Sequence, residues 1–77
     1  MLRQVYQTYA SPVARGGHFG LYLELKSDKT CKLSERQKEW IMDLREQGYS
    51  AGVCYGAEEA IRVLEKYLSQ PKTKVSV

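Results

Sequence analysis

The residues best suited to chemistry in this chain are Glu24 and Lys26. They close the run Phe19-Gly20-Leu21-Tyr22-Leu23-Glu24-Leu25-Lys26. The run is apolar as far as Glu24 and reads as a strand. Residues two apart on a strand face the same side, so a carboxylate and an amine stand side by side at its end. Ionised groups at the end of a buried strand are costly unless paired or bound to a cation. Carboxylate oxygens suit Mg²⁺ or Mn²⁺, and a neighbouring lysine can orient water or offset phosphate charge. The chemistry such a pair would do is metal-assisted hydrolysis of a phosphodiester. The competing reading is a solvent-facing salt pair, which is what a bare Glu-x-Lys most often is. Residues 1 to 23 contain no Asp and no Glu, so the second carboxylate that such a site needs is missing upstream.

Gln37 lies near the start of a helix, in the segment Ser34-Glu35-Arg36-Gln37. It fits the last position of a capping box, or it could hydrogen-bond a metal-bound water or a phosphate at the same end of the sheet. Lys29, Lys32, Arg36 and Lys38 gather around the preceding loop and the helix start, where they could meet a phosphate backbone. Asp28, Glu35 and Glu39 balance them, which is also the pattern of a solvated face. Arg15-Gly16-Gly17-His18 could form a phosphate-contacting turn or a plain hairpin loop, and matches no phosphate-loop signature. Trp40 is expected in the core rather than as a platform for bases.

Five elements position these residues. Leu2 to Tyr9 is rich in Val, Tyr and Thr and reads as a strand, punctuated by Ser11-Pro12 and Arg15-Gly16-Gly17. Phe19 to Lys26 is the second strand, nearly continuous in apolar residues and so buried on both faces. The two could form a hairpin. Ser27 to Lys32 is a polar loop. A helix starts at the Ser34 N-cap and runs to about Gln47, with Trp40, Ile41 and Leu44 as its apolar stripe and Gly48 just past its end. Tyr49 to Tyr55 is a short buried strand. Ala57 to Leu68 is a second helix, with Ala57, Ala60, Ile61, Leu64 and Leu68 on one face and Glu58 and Glu59 where the helix dipole favours them. The order β-β-α-β-α, with a parallel strand-helix-strand crossover, predicts an α/β domain with a small mixed sheet and flanking helices.

Length and composition limit the alternatives. Seventy-seven residues, 43% of them hydrophobic, make one small globular domain, expected over residues 1–70 with a frayed tail over 71–77. No apolar run approaches the roughly 20 residues of a membrane span. No leader opens the chain, so a cytoplasmic protein with no membrane partner is expected. Cys31 and Cys54 do not make a disulfide framework and are expected reduced. With only His18 beside them and no CxxC pairing, they do not make a zinc site. The net charge of +3 is mild. Residues 24 to 48 balance six acids with six bases, and the chain carries no long basic arm.

From Pro12 to Leu68 the chain resembles the virus-type replication-repair nuclease domain, the VRR-NUC branch of the PD-(D/E)xK superfamily. The resemblance lies in Pro12-Val13-Ala14-Arg15-Gly16-Gly17 and Gly20-Leu21-Tyr22-Leu23-Glu24-Leu25-Lys26. It continues through Leu33-Ser34-Glu35-Arg36-Gln37-Lys38-Glu39-Trp40, Leu44-Arg45-Glu46-Gln47-Gly48-Tyr49 and Val53-Cys54-Tyr55-Gly56-Ala57-Glu58-Glu59-Ala60. It implies a restriction-endonuclease-like core and a DNA endonuclease of phage or prophage type, in a bacterial or phage-infected cell, dependent on Mg²⁺ or Mn²⁺. Glu24 would be the metal ligand, Lys26 the catalytic lysine, and Gln37 the helix glutamine beside the active site. Arg15, Lys29, Lys32 and Arg36, singled out above by charge and position, are the candidates for contact with that DNA. Small stand-alone members resemble junction-resolving enzymes, which implies branched DNA as substrate and a homodimer.

The family pattern also has a Pro-Asp pair on the preceding strand. Spacing puts that Asp near Thr8, with Gln7 for the Pro. It has an earlier helix with a further Glu, which this sequence is expected to lack as an N-terminally trimmed domain. One carboxylate holds a hard cation poorly, so weak or absent cleavage is expected. An uncovered sheet edge favours a homodimer, with an exchanged N-terminal strand as one form. The alternatives are a non-enzymatic nucleic-acid-binding or dimerisation remnant of the fold, and a plain interaction domain.

Overall fold

The computed structural model describes residues 7–27, 29–30 and 32–74. They form β1 (Gln7–Ser11), β2 (Leu21–Lys26), α1 (Glu35–Glu46), β3 (Ser50–Tyr55) and α2 (Ala57–Leu68). The sheet has the order β1-β2-β3, with β1 antiparallel and β3 parallel to the central β2. This is the expected β-β-α-β-α arrangement. Among the described residues no helix is long and apolar enough to cross a membrane.

Strand alternation gives β2 two different faces. Leu21 and Leu23 join Cys54 and Tyr67 in a buried cluster, against which Leu25, Ala60, Val63 and Leu64 of β2 and α2 pack. Tyr22, Glu24 and Lys26 face the other way, toward α1, whose Trp40 ring meets Tyr22 edge-on. The central strand is therefore apolar on one side, while on the other it carries an aromatic residue and two ionisable ones.

Local signals account for α1. Ser34 caps it: its hydroxyl accepts from the Gln37 amide at 3.1 Å, and the Gln37 side chain accepts from the Ser34 amide at 3.0 Å. Gly48 follows with φ +97°, a backbone region that side chains disfavour, and the Phe19 ring lies where a Cβ would stand. At its last turn Arg45 donates to the Ala51 carbonyl and ties the helix to β3. By contrast, α2 has Gly56 at its N-cap and no side-chain cap. Glu58 and Glu59 complement its dipole, and its packing against the sheet does the rest.

The structure moves several expected boundaries. Residues 1–6 of the first expected strand lie outside the described residues, and that strand runs on to Ser11. Phe19 and Gly20 precede β2 rather than belong to it; Phe19 is 57% exposed. The buried face of α2 is rotated. Ile61 and Leu68, expected inside, are exposed, whereas Tyr67 is buried and its hydroxyl donates to the Val13 carbonyl at 2.6 Å. A tyrosine that reaches a loop carbonyl buries its ring at no polar cost. Residues 71–74, within the expected tail, strap the β1–β2 loop. Gly16 N donates to the Pro71 carbonyl, Thr73 N to Ala14, and the Thr73 hydroxyl to the His18 carbonyl. Residues 75–77 lie outside the described residues.

Cys54, opposite Leu25 in the sheet, is a free buried thiol. Burial first, then the Glu59 carboxylate, pushes its pKa above the ordinary 9.0. The folded chain thus holds this proton more tightly than the unfolded one. The resulting stabilisation is complete below the unfolded thiol's pKa and is lost as pH rises through the folded value. The denaturation midpoint is expected to fall above about pH 9 in the wild type and less so in Cys54→Ala. Equal declines in urea titrations across that range would contradict this.

Candidate functional site

Register builds the site. β1 and β2 place Thr8 directly opposite Glu24, and the Thr8 hydroxyl donates to Glu24 Oε2 at 3.1 Å. From α1, Gln37 Nε2 donates to Glu24 Oε1 at 3.3 Å. Gln37 Oε1 then accepts from Lys26 Nζ at 3.1 Å, besides the Ser34 amide. Thr8, Glu24, Gln37 and Lys26 thus form one hydrogen-bonded chain across two strands and a helix. Its anchor is the capping box, which sets where the Gln37 amide stands. The two roles considered for Gln37, cap and site residue, are filled by the same side chain at once.

Glu24 is 6% and Lys26 2% exposed, so they are not a solvent-facing salt pair. No ion pair joins them; Gln37 stands between. They also open on different hollows. Glu24 lines a cleft of about 340 Å³ with Thr8, Arg36, Gln37 and Trp40. Lys26 lines another, of about 310 Å³, with Gln7, Leu25, Ser27, Gly56 and Ala57.

Trp40, expected in the core, instead borders the cleft at 37% exposure. On α1 only Ile41 is buried. The Trp40 ring packs edge-on against Tyr22 and stays part-exposed in the cleft it shares with Thr8 of β1. Sequence periodicity marks Trp40 as apolar-facing but carries no signal of how far the ring is covered.

Of the expected DNA-contacting residues, Arg36 enters the cleft. Lys29 and Lys32 are exposed in the loop between β2 and α1. Arg15 is not with them. It lies in the hairpin loop at the opposite end of β2, bridged to Lys72, with His18 nearby, so His18 is no part of the Glu24 site.

The donor set among the described residues is a poor fit to Mg²⁺ or Mn²⁺. Such ions take about six oxygens, one or two of them from carboxylates and the rest from water or substrate. Among the described residues one carboxylate lies here, and both its oxygens already accept hydrogen bonds. Among the described residues no three His, Cys, Asp or Glu side chains converge on a metal position.

A family model described as the VRR-NUC domain matches residues 5–58, most of the chain. The chain belongs to the VRR-NUC domain family. A solved structure described as a VRR_NUC domain protein is 30% identical, with a TM-score of 0.76 over 87% of this chain. The chain spans 59% of that protein's length. A search of the curated proteins finds no match. A VRR-NUC domain is a nuclease-type domain, and the mixed three-stranded sheet with two helices is its fold here.

Proposed function

We propose that this VRR-NUC domain acts on DNA, branched DNA first, and that its hydrolysis of the phosphodiester is disabled or strongly weakened at one position. The observation that carries this is the pairing of Thr8 with Glu24. At the place where the family resemblance expects a second carboxylate, a hydroxyl donates to the first. Losing one principal ligand of a two-carboxylate site costs orders of magnitude in rate.

The remaining parts suit DNA contact. Lys29 and Lys32 are exposed, and Arg36 lines the cleft beside Glu24. Lys26 donates to Gln37, which itself lines that cleft, so its ammonium stands one side chain behind Glu24. β1 is an edge strand exposed along most of its length. Such an edge suits a homodimer, and exchange of the N-terminal strand is one form it could take.

The test is a labelled four-way junction titrated with the native chain at low salt and then incubated with Mn²⁺. Binding with no cutting, or with cutting orders of magnitude slower than a two-carboxylate nuclease, is expected. For the chain alone, without DNA, light scattering is expected to give twice the 8.8 kDa chain mass. Efficient cutting that is lost in Glu24→Ala would mean that the missing carboxylate is supplied from elsewhere. Absence of any binding would leave the plain interaction domain.

A further inference from the structure

Four aromatic rings, from β2, α1 and the residues just before β2 and β3, follow one another in a continuous line. Phe19 meets Tyr49 edge-on at 6.1 Å, Tyr49 meets Tyr22 at 5.3 Å, and Tyr22 meets Trp40 at 5.8 Å between centroids. The two ends of the line, Phe19 and Trp40, are the most open. Below Phe19 lies a hollow of about 320 Å³ floored by Ala10, Tyr22 and Tyr49. Thr8 and Ala10 of β1, and Glu24 and Tyr22 of β2, alternate onto one face. This hollow and the Glu24 cleft therefore follow one another along that face.

Cations stand at both ends. Arg36 flanks Trp40 in the Glu24 cleft. At the hairpin-loop end of the sheet, which Phe19 leaves, the backbones of Arg15 and Lys72 pair, Arg15 Nη1 donates to the Ala14 carbonyl, and Lys74 follows. Residues 1–23 and 66–77 contain no acid, and Arg15, Lys72 and Lys74 make no ion pair among the described residues. Glu24, the carboxylate in the cleft, is buried with both oxygens hydrogen-bonded.

We propose that this face is a track for an unpaired DNA strand, with bases stacked on Phe19 and Trp40 and phosphates held by Arg36 at one end and by Arg15, Lys72 and Lys74 at the other. It builds on the DNA-binding function given above and specifies the form of the strand. Aromatic side chains stack on base faces, which a duplex hides and a single strand offers. Aromatic platforms between cations are the usual makeup of a single-strand groove. From Phe19 to Glu24 the track is roughly 17 Å long at ~3.3 Å per strand residue, room for about five stacked nucleotides.

Trp40 is the chain's one tryptophan, so its emission reports on the track without mutation. The native chain is titrated with an oligo(dT) of about 12 nucleotides, and separately with a blunt duplex of the same length. Both tryptophan emission and the anisotropy of the labelled DNA are followed. The expected result is quenching by oligo(dT) and tighter binding of it than of duplex. Phe19→Leu, which keeps an apolar side chain over Gly48, is expected to weaken oligo(dT) binding about 5-fold or more and leave duplex binding unchanged. Lys72→Ala with Lys74→Ala is expected to flatten the salt dependence of oligo(dT) binding by about 1.4 in slope. DNA binding seen by anisotropy with emission unmoved and Phe19→Leu without effect overturns the track while sparing the DNA-binding function. Silence in both signals for both DNAs overturns the two together.

Discussion

If the proposed function holds, Thr8→Asp is expected to make this domain cation-dependent. Directly opposed residues of an antiparallel pair have Cα atoms roughly 4.5–5.5 Å apart, and Thr8 faces Glu24 in that way. The substitution sets a second carboxylate against the first and removes the hydroxyl that donates to Glu24 Oε2. Without a cation, two carboxylates so close repel and one tends to hold its proton. A penalty of about 1 kcal/mol lowers Tm by roughly 4–8 °C in a domain of this size. With Mn²⁺ the repulsion becomes a ligand pair. The variant should therefore melt below the native chain in EDTA and recover in Mn²⁺, while the native Tm stays put. Junction cleavage should rise by about two orders of magnitude or more over the native chain and vanish when Glu24→Ala is added. A variant whose melting ignores Mn²⁺ and which cuts nothing would show that Thr8 is not the deficient position.

Gln37→Ala should be among the most destabilising changes outside the apolar core. The side chain completes the capping box and also serves both Glu24 and Lys26. Loss of a helix-cap partner costs about 1 kcal/mol. A buried carboxylate deprived of a donor costs about 1–3 kcal/mol more. Together these amount to roughly 2–4 kcal/mol, a large part of the ~5–15 kcal/mol that holds a typical domain. Gln37→Glu separates the two parts. It keeps a Ser-x-x-Glu capping box but turns the donor at 3.3 Å from Glu24 into a second carboxylate. If capping were all that mattered, Gln37→Glu would match the native chain in urea unfolding. A loss in both variants assigns the network a share of its own; two native-like midpoints would dismiss it.

The parts of this fold legible in the sequence were those with a short-range cause. Ser34 and Gln37 three residues apart, Gly48 past the helix and the break at Gly56 each act within one turn, and α1 and α2 begin and end where those residues say. The apolar run through Glu24 gave the central strand, and the spacing at which the family resemblance expects an aspartate pointed to Thr8, which the register sets opposite Glu24. What sequence did not carry was long-range. Nothing local says that Tyr67 reaches Val13 across 54 residues. Nor does anything local show that Trp40 stays part-exposed beside the cleft, or that Gln37 stands between Glu24 and Lys26. Glu-x-Lys spacing promised proximity, and the partition came from a helix side chain inserted between them.

The strap over the hairpin loop has a kinetic side. Three hydrogen bonds join residues 13–18 to Tyr67 and Thr73, two of them spanning 54 and 55 residues. Closing so long a span carries a loop-entropy cost that local contacts do not, and contacts of high sequence separation slow folding. During synthesis the loop emerges 54 and 55 residues ahead of the side chains that restrain it. Its restraints therefore form only after α2 and the strap have been made.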